Sequence, residues 1–242
     1  MSTILNGNTI LNAGTSIEAS FPATIAGLQL WLDASDASTI TTATGVSQWN
    51  DKSGNRNNAT QATGSAQPTV RTAAQNGLDT LRFTASSSQR MSLSNSISAT
   101  SGYTIFAIIR RGGPGGTNVV ETLGSSVTNN AYSLEHYSDS VLYSALNNYA
   151  VISTAQSSTA YNLASAYIYG SATPGAIRFN RVDITASNST PAPTATSFNL
   201  VGYGDTAYCN GEIGEILFYN SVLSLANIQL IEAYLKAKWG TP

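Results

Sequence analysis

The segment from Gly211 to Gly240 constrains the fold most, because it changes from a strand pattern to a helix pattern within a few residues. Its first part, Glu212 to Tyr219, is apolar and rich in residues that favour β-structure. Asn220 and Ser221 are typical turn residues. The apolar residues after this turn recur at steps of three and four and share one helical face: Ile228, Ile231, Leu235 and Trp239. The sequence therefore predicts a last strand, a turn, and an amphipathic helix that packs on an apolar surface.

The predicted terminal helix has recognisable ends. Ser224 stands at the N-cap position, where its hydroxyl can accept a hydrogen bond from a backbone N–H of the first turn. Lys236 and Lys238 lie in the last turn, where positive charge is favourable, and Gly240 follows as a C-terminal glycine. These signals predict a helix that begins just after Ser224 and ends just before Gly240.

This terminal segment resembles the end of a LamG-like, concanavalin A-like jelly-roll domain. The resemblance is carried by the strand Glu-Ile-Gly-Glu-Ile-Leu-Phe-Tyr-Asn, the Leu-Ser helix start and the ending Glu-Ala-Tyr-Leu-Lys-Ala-Lys-Trp-Gly. Leu28 to Asp36 and Val46 to Gly54 are similar to the opening of the same subtype, which occurs in bacteriophage structural proteins and on bacterial surfaces. The resemblance implies an all-β, two-sheet antiparallel jelly-roll sandwich with an N-terminal arm and one C-terminal α-helix. It leaves function open, because the family includes lectins, glycanases, adhesion modules and coat modules.

Composition supports one β-sandwich domain over residues 26–242, preceded by an arm over residues 1–25. The chain has 242 residues and 42% hydrophobic residues, which is enough for a substantial core. Charged residues are 10% of the chain, against roughly 25% in an ordinary soluble protein. The formal net charge of -2 gives no electrostatic footprint for nucleic acid or an anionic membrane, so neither is expected as a partner.

The sequence lacks the usual signs of export. No Lys or Arg precedes Lys52, so a secretory signal with a basic n-region is not expected. No apolar run approaches the roughly 18 residues that span a bilayer. Cys209 is the only cysteine, which excludes an intrachain disulfide and predicts a small semi-buried side chain. We expect synthesis in a host cytoplasm.

Most of the chain between these ends is predicted to form short antiparallel strands. The most hydrophobic one, Tyr103 to Arg110, is expected in the centre of a sheet. Arg110 and Arg111 at its end are expected to be solvated. Ser187 to Thr196 contains two prolines and is predicted to be a loop.

Residues 1–25 differ from the rest of the chain. They form a short imperfect apolar repeat, punctuated by Gly and Asn and almost uncharged. One interpretation is an extra strand on the chain's own sandwich. The other is an anchor that joins a neighbouring subunit by strand addition. The residues expected to contact a partner in the second case are Ile4, Leu5, Ile10, Leu11, Ile17 and Phe21.

The two carboxylates of the last strand are the obvious enzymatic candidates, since related glycanases carry acidic residues on one catalytic strand. Retaining hydrolysis needs two carboxyl groups about 5 Å apart, hence on one strand face. Glu212 and Glu215 are three residues apart, which predicts opposite faces of a regular strand. A bulge could re-aim one of them, but Gly214 stands where a supporting carboxylate would be needed. The prediction is a protein that is not an enzyme and has no catalytic residues.

Metal binding has little support in the sequence. His136 is the only histidine and is expected to face solvent, so a transition-metal site is not expected. Calcium is the one cofactor left open, because some relatives bind it through loop oxygens. Four aspartates lie in predicted loops, where turn capping is favoured over calcium binding: Asp33, Asp36, Asp51 and Asp205.

Tyrosines are the candidate sugar-binding residues. The side chains available with nearby asparagines are Tyr132, Tyr137, Tyr143, Tyr149, Tyr203, Tyr208, Asn147, Asn148 and Asn210. Tyrosines at period two are often half-buried strand residues with a solvated hydroxyl, which is the alternative. The candidate carbohydrate site chosen from this set is Tyr137, Tyr143, Tyr149 and Asn148.

The leading hypothesis from the sequence is a non-enzymatic virion structural protein, a bacteriophage capsid decoration or head-fibre protein attached through its N-terminal arm. The expected partners are viral capsid or tail proteins and further copies of the chain, for which a trimer is one option. The expected location is the virion surface. The alternative is a lectin-like receptor-binding module of a phage tail or surface protein that binds a cell-surface glycan, and the third option is a glycan hydrolase.

Overall fold

A computed structural model describes residues 3–5, 9–11, 21–113, 120–125, 133–136, 141–146, 149–156, 158–169, 175–189, 197–204 and 207–242. Within these ranges the regular secondary structure is mostly β-strand, with one α-helix at the C-terminal end. None of the helices described there is long and apolar enough to cross a membrane.

The elements are numbered here in chain order. The strands are β1 (Thr3–Leu5), β2 (Thr9–Leu11), β3 (Leu28–Asp33), β4 (Ile40–Thr42), β5 (Val46–Trp49), β6 (Ala59–Thr60), β7 (Thr69–Gln75), β8 (Leu78–Phe83), β9 (Met91–Ser98), β10 (Gly102–Arg111), β11 (Val120–Glu121), β12 (Leu123–Gly124), β13 (Glu135–His136), β14 (Leu142–Leu146), β15 (Tyr149–Ser153), β16 (Asn162–Tyr169), β17 (Ala176–Phe179), β18 (Val182–Asp183), β19 (Thr185–Ser189), β20 (Ser197–Val201), β21 (Tyr203–Gly204), β22 (Ala207–Tyr208) and β23 (Gly211–Tyr219). The α-helix is α1 (Leu225–Trp239), and short 3-10 helices lie at Ala37–Thr39, Gly64–Ala66 and Ala85–Ser87.

The first layer is an eight-stranded antiparallel sheet, which we call the helix-side sheet. Seven of its strands run in the order β18-β17-β16-β10-β23-β8-β7, and the eighth, β3, pairs with β23. β23 pairs with β10 on one side, and on the other side with β8 over its first residues and β3 over its last. The prediction that the most hydrophobic strand lies in the centre of a sheet is confirmed, because β10 lies between β16 and β23.

The second layer consists of two antiparallel sheets. One has six strands in the order β12-β20-β9-β6-β5-β4, and the other has five in the order β11-β13-β14-β15-β19. Side chains from both meet the helix-side sheet in one apolar core, as Trp49, Leu142, Ile105 and Phe218 show. The predicted all-β antiparallel sandwich with a C-terminal helix is therefore confirmed, although its second layer is divided.

The terminal helix covers the outer face of the helix-side sheet. Ser224 Oγ accepts a hydrogen bond from the Asn227 N–H at 3.3 Å, and Gly240 ends the helix in the left-handed conformation. The predicted apolar residues are all buried and form a second core with Phe106, Leu217 and Tyr219 of the sheet. Both caps and the apolar face are confirmed: Ile228, Ile231, Leu235 and Trp239.

Three sequence predictions for the strand region are wrong. His136 is 1% exposed and not solvent-facing, and its Nε2 lies 2.7 Å from the carbonyl oxygen of Gln156. Arg111 is 1% exposed, because β10 lies inside the sheet to its last residue. The predicted loop over residues 187–196 begins with strand residues, since β19 pairs with β15 as far as Ser189.

The first strands form a hairpin of their own. β1 pairs with β2 in an antiparallel two-stranded sheet, in which Ile4 lies opposite Ile10. The side chains of this hairpin and the predicted contact residue Ile17 lie outside the described residues. Phe21 contacts the Tyr234 ring of α1 edge-on at 5.2 Å, and Ile25 belongs to the core beneath the helix.

Candidate functional site

Glu212 and Glu215 lie on the same face of β23, so the prediction of opposite faces is wrong. Glu212 pairs with Arg110 and Glu215 with Ile108, and the register shifts between them. Gly214 is the extra residue of this β-bulge, which restores both glutamates to one face. Both face the helix and are about 1% exposed.

The carboxylate of Glu215 is held by donors from three directions. Trp31 Nε1 donates to Oε1 and Trp239 Nε1 donates to Oε2, each at 2.7 Å. Lys238 Nζ lies 2.7 Å from Oε2 and also 2.8 Å from Asp33 Oδ1. This cluster, which we call the Glu215 cluster, fastens the last turn of α1 to the sheet.

The pKa values of the two carboxylates in the Glu215 cluster move in opposite directions. Burial, followed by the negative charge of Asp33, raises the pKa of Glu215 above its ordinary 4.5. Burial also acts to raise the pKa of Asp33, but Lys238, Ser35 and Lys52 together outweigh it, and that pKa falls below 3.8. Neither carboxyl is open to a substrate, because both side chains are at most 3% exposed.

Glu212 is the centre of a second cluster, at the other end of the bulge. Arg110 Nη1 lies 2.9 Å and Arg82 Nη1 3.5 Å from the same oxygen, Oε1. Tyr161 donates its hydroxyl proton to Oε2, and the Thr80 hydroxyl donates to Oε2 at 3.2 Å. We call these residues the Glu212 cluster. Its two guanidinium groups are its exposed part, with 36% of the Arg110 side chain and 26% of the Arg82 side chain accessible.

A third carboxylate, Glu232 of α1, is also buried. Arg178 binds it in a bidentate arrangement through one edge of the guanidinium group, with Nε to Oε1 at 2.8 Å and Nη2 to Oε2 at 3.2 Å. The Ser165 hydroxyl donates to Oε1 at 2.8 Å. All three glutamates under the helix are thus satisfied by hydrogen bonds, which is what buried charges require.

The phenol of Tyr161 is not prepared for nucleophilic chemistry. Burial, followed by its hydrogen bond to Glu212, raises the pKa of Tyr161 to about 12. The ring is 7% exposed and its hydroxyl group points inward to a buried carboxylate. A nucleophile needs a lowered pKa and access to substrate, and Tyr161 has neither.

The aspartates considered for calcium have other partners. Asp36 caps the 3-10 helix Ala37–Thr39, and Asp51 accepts hydrogen bonds from the backbone N–H groups of Trp31 and Ser53. Asp33 is buried at the end of β3, not in a loop, and Asp205 lies outside the described residues. The described part of the chain holds no group of three or more metal-binding side chains.

A half-exposed pair of aromatic side chains lies at the hairpin of β21 and β22. Tyr203 lies opposite Tyr208, and their ring centroids are 4.8 Å apart at an angle of 61°. The guanidinium carbon of Arg90 lies 5.1 Å from the Tyr203 ring centroid and 5.7 Å from that of Tyr208. All three side chains are half-buried, and we call them the Tyr–Arg platform.

Local structure fixes this platform. Gly202 leaves β20 at a positive φ of 76°, and a Cβ there would lie 2.6 Å from the Phe83 ring, so glycine is required. The Cys209 N–H donates to the Gly202 carbonyl at 2.9 Å and closes the base of the hairpin. Arg90 Nη1 donates to the Tyr208 hydroxyl oxygen at 3.2 Å. The rings are therefore held by backbone bonds and by one cation.

Asn210 connects the platform with the Glu212 cluster. Its side-chain oxygen accepts a hydrogen bond of 3.5 Å from Arg82 Nη2. Tyr208, which Arg90 contacts, lies two residues away, or roughly 7 Å along an extended chain. Arg90 and Arg82 thus bind neighbouring positions of the segment from Tyr208 to Asn210. Arg110 shares the Glu212 carboxylate with Arg82.

The structure brings together only part of the predicted sugar-binding set. Tyr143 is half-buried on β14, and only the backbone of Tyr149 is described on β15. Tyr137 and Asn148 lie outside the described residues. Of the wider set of sequence candidates, Tyr203 and Tyr208 lie together, and Asn210 follows two residues after Tyr208.

Comparisons with known proteins concern the fold. No protein-family model matches the sequence, and no match is found among curated proteins. Among solved structures, Trypanosoma rangeli sialidase in complex with sialic acid superposes on 88% of this chain, with 13% identity and a TM-score of 0.56. The chain spans only 33% of that sialidase.

Two further structures are similar over most of the chain. The binding domain of botulinum neurotoxin serotype D covers 89% of this chain with 11% identity and a TM-score of 0.54, and 54% of the neurotoxin domain is matched. Domain 4 of an extracellular arabinanase from Geobacillus stearothermophilus, in complex with arabinotriose, covers 85% with 12% identity and a TM-score of 0.54. Here 97% of the other chain is matched.

At these identities the likeness establishes the fold alone. The matched structures include carbohydrate-binding or glycan-active proteins with β-sandwich domains, which agrees with a concanavalin A-like jelly roll. They do not bear on the bacteriophage subtype, which stays a prediction.

Proposed function

We propose that this protein is a non-catalytic carbohydrate-binding module and that its sugar-binding surface is the Tyr–Arg platform. The observation that carries the proposal is the half-exposed corner of two tyrosine rings with Arg90 beside them. A tyrosine ring offers an apolar face for the C–H groups of a sugar and a hydroxyl for its polar edge. Arg90 adds N–H donors for sugar hydroxyl groups.

Two further observations support the proposal. Two of the similar β-sandwich structures are complexes with sugars, namely sialic acid and arabinotriose. The acidic residues considered for glycoside cleavage, Glu212 and Glu215, are buried and engaged in ion pairs beneath the helix. Hydrolysis needs an acid and a second carboxylate beside the scissile bond, and neither glutamate can reach one. Binding without cleavage is the function that fits.

A glycan array followed by calorimetry tests this proposal. We expect saturable binding of at least one glycan class, and we expect Tyr203→Ala and Tyr208→Ala each to weaken it by about tenfold or more. Tyr169→Ala is the matched control, because Tyr169 also packs edge-on against a tyrosine, at 6.2 Å, but at the opposite end of the helix-side sheet. Binding that persists in both platform variants would place the sugar elsewhere, and absence of any glycan binding would refute the function.

A second candidate function is attachment to a virus particle, as the sequence resemblance suggests. One observation favours it: the hairpin of β1 and β2 forms its own two-stranded sheet and does not extend the sheets of the sandwich. In this proposal the hairpin joins capsid or tail proteins or sister subunits, and the protein is displayed on the virion surface as a homo-oligomer. The two functions are compatible, because a displayed lectin can bind a receptor glycan.

Deletion of residues 1–20 tests the attachment function. Residues 21–25 should remain, because Phe21 packs on Tyr234 and the Tyr219 hydroxyl donates to the Pro22 carbonyl at 3.2 Å. The truncated protein should keep the unfolding temperature of the full chain but fail to join the particle. Normal incorporation of the truncated protein would exclude the arm as the anchor.

A further inference from the structure

We infer that the glycan bound by this module is acidic, and that Arg110 and Arg82 bind its carboxylate or sulfate group beside the Tyr–Arg platform. The inference rests on the proposed carbohydrate-binding function and adds the chemical class of the ligand. It depends on how the Glu212 cluster distributes its charge.

Two guanidinium groups share one carboxylate in this cluster. Arg110 and Arg82 both approach Glu212 Oε1, while Oε2 is occupied by the hydroxyl groups of Tyr161 and Thr80. The cluster therefore carries one positive charge more than Glu212 neutralises. The excess lies at the surface, because Glu212 is 2% exposed and the Arg110 side chain 36%.

The arginines also keep unused hydrogen-bonding capacity. A guanidinium group has five N–H donors. Arg110 donates one hydrogen bond to the Thr159 carbonyl at 3.1 Å and one to Glu212. Arg82 makes a long contact of 3.5 Å with Asn210. A planar anionic group can take a bidentate pair of such donors, which is the geometry that arginine offers and lysine does not.

The positively charged arginines of the Glu212 cluster lie close to the Tyr–Arg platform along the chain. Asn210 accepts from Arg82, and Tyr208, two residues earlier, accepts from Arg90. A sugar ring on Tyr208 would thus lie within about one sugar unit of Arg82, since two extended residues span roughly 7 Å. An uncharged glycan would leave the excess charge of the arginines unused, whereas an acidic one would pair with it.

The experiment compares one acidic glycan with its neutral counterpart in which the acidic group is removed or reduced. We expect the wild-type protein to bind the acidic form about tenfold or more tightly, since a hydrogen bond between charged groups is worth at least that factor. Raising the salt concentration should weaken binding of the acidic form and leave the neutral form nearly unchanged. Equal affinity for the two forms would overturn the inference while leaving the carbohydrate-binding function intact.

Substitutions then locate the anion site. Arg110→Gln should reduce the acidic preference to about threefold or less without weakening the neutral glycan. Arg56→Gln is the control, because Arg56 is exposed in a loop far from Glu212 along β23. The neighbouring Asn55 donates to the Leu28 carbonyl, and Leu28 lies opposite Tyr219, at the other end of β23. Unchanged preference in Arg110→Gln would overturn the assignment.

Glu212 provides a test in the opposite direction. Glu212→Gln removes the competing carboxylate and should tighten binding of the acidic glycan several-fold, an effect that a purely structural role would not produce.

A double variant guards against misfolding. Because Arg110→Gln alone leaves a buried carboxylate with one cation, the double variant Arg110→Gln/Glu212→Gln keeps the measurement valid if the single variant misfolds. The double variant should fold and lose the acidic preference. Retained preference there would overturn the inference, and a protein that binds no glycan at all would overturn both proposals.

Discussion

The indole N–H of Trp239 donates a 2.7 Å hydrogen bond to Oε2 of Glu215, and this joins the last turn of the helix to the middle of β23. Trp31, which lies on β3, donates its indole N–H to the other carboxylate oxygen, Oε1. The carboxylate on β23 therefore requires donors from β3 and from the helix at once. A buried charge with such requirements specifies where the helix must dock, which apolar packing alone specifies less sharply.

Lys238→Met should destabilise the protein by roughly 3 kcal/mol, because it leaves Glu215 and Asp33 without the cation that both contact. Urea unfolding followed by circular dichroism measures this change. Lys236→Met is the matched control in the same helical turn and should change the free energy of unfolding by less than about 0.5 kcal/mol. Equal effects of the two variants would show that the ion pairs contribute no net stability.

Gly214→Ala should cost about 1–3 kcal/mol through overpacking. A Cβ at this bulge residue would lie 2.8 Å from Cη2 of Trp239 and 3.1 Å from Cγ2 of Ile108. Trp239→Phe removes the outer ring that the new methyl group would meet. In that background the added cost of Gly214→Ala should fall below about 1 kcal/mol, and a double-mutant cycle measures the coupling. Strict additivity would mean that the bulge, and not Trp239, demands glycine.

The sequence predicts those features that depend on neighbours in the chain. The Ser224 cap, the Gly240 end and the apolar helix face are correct, because capping and helical periodicity are local. The bulge is allowed for by the sequence but is not the favoured prediction, because period-two alternation assumes a regular strand. The glycine between the two glutamates is the signal that could have shown it, since glycine inside a strand often marks a bulge.

Long-range pairs are what sequence reasoning cannot supply. Glu232 interrupts the apolar face of the helix, which signals a buried charge, but its partner Arg178 lies 54 residues earlier. The candidate site has the same limitation. Tyr203 and Tyr208 were recognised as aromatic candidates, whereas Arg90 is 118 residues from Tyr208 and nothing local connects them.

The stability contributed by Glu215 should decrease as pH rises above 4.5. Its folded pKa is raised above that ordinary value by burial and by Asp33, so the folded state favours the protonated form. The contribution is complete below pH 4.5 and is lost as pH rises through the folded pKa. The free energy of unfolding of the wild type, minus that of Glu215→Gln, should fall as pH rises above 4.5. A constant difference would contradict the raised pKa.

The stability contributed by Asp33 should instead decrease as pH falls into the acid range. Its folded pKa lies below 3.8, because the ion pairs and hydrogen bonds with Lys238, Lys52 and Ser35 outweigh its burial. Its contribution is complete above pH 3.8 and is lost as pH falls through the folded pKa. Asp33→Asn should therefore flatten the acid limb of the stability profile below pH 4, and an unchanged acid limb would contradict the lowered pKa.

Tyr161→Phe should make the protein less sensitive to alkali. Burial and the hydrogen bond to Glu212 raise the pKa of Tyr161 to about 12, from an ordinary value of 10.0. Its stabilising contribution is complete below pH 10 and is lost as pH rises through 12, because only the protonated phenol can donate to the carboxylate. Solvent screening limits the loss to about 1–2 kcal/mol. Burial also raises the pKa of Tyr219 and Tyr234, so some alkaline loss should remain in the variant.

Urea unfolding at several pH values between 9 and 12 measures this effect, with Tyr203→Phe as the matched control outside the Glu212 cluster. The free energy of unfolding of Tyr161→Phe should start about 1 kcal/mol below the wild type at pH 9, through loss of one hydrogen bond. The two curves should then converge as the wild type loses the phenolic proton that holds Glu212. Parallel curves up to pH 12 would mean that Tyr161 ionises without affecting the fold. In that case the two arginines and Thr80 would suffice to hold Glu212 in its buried position.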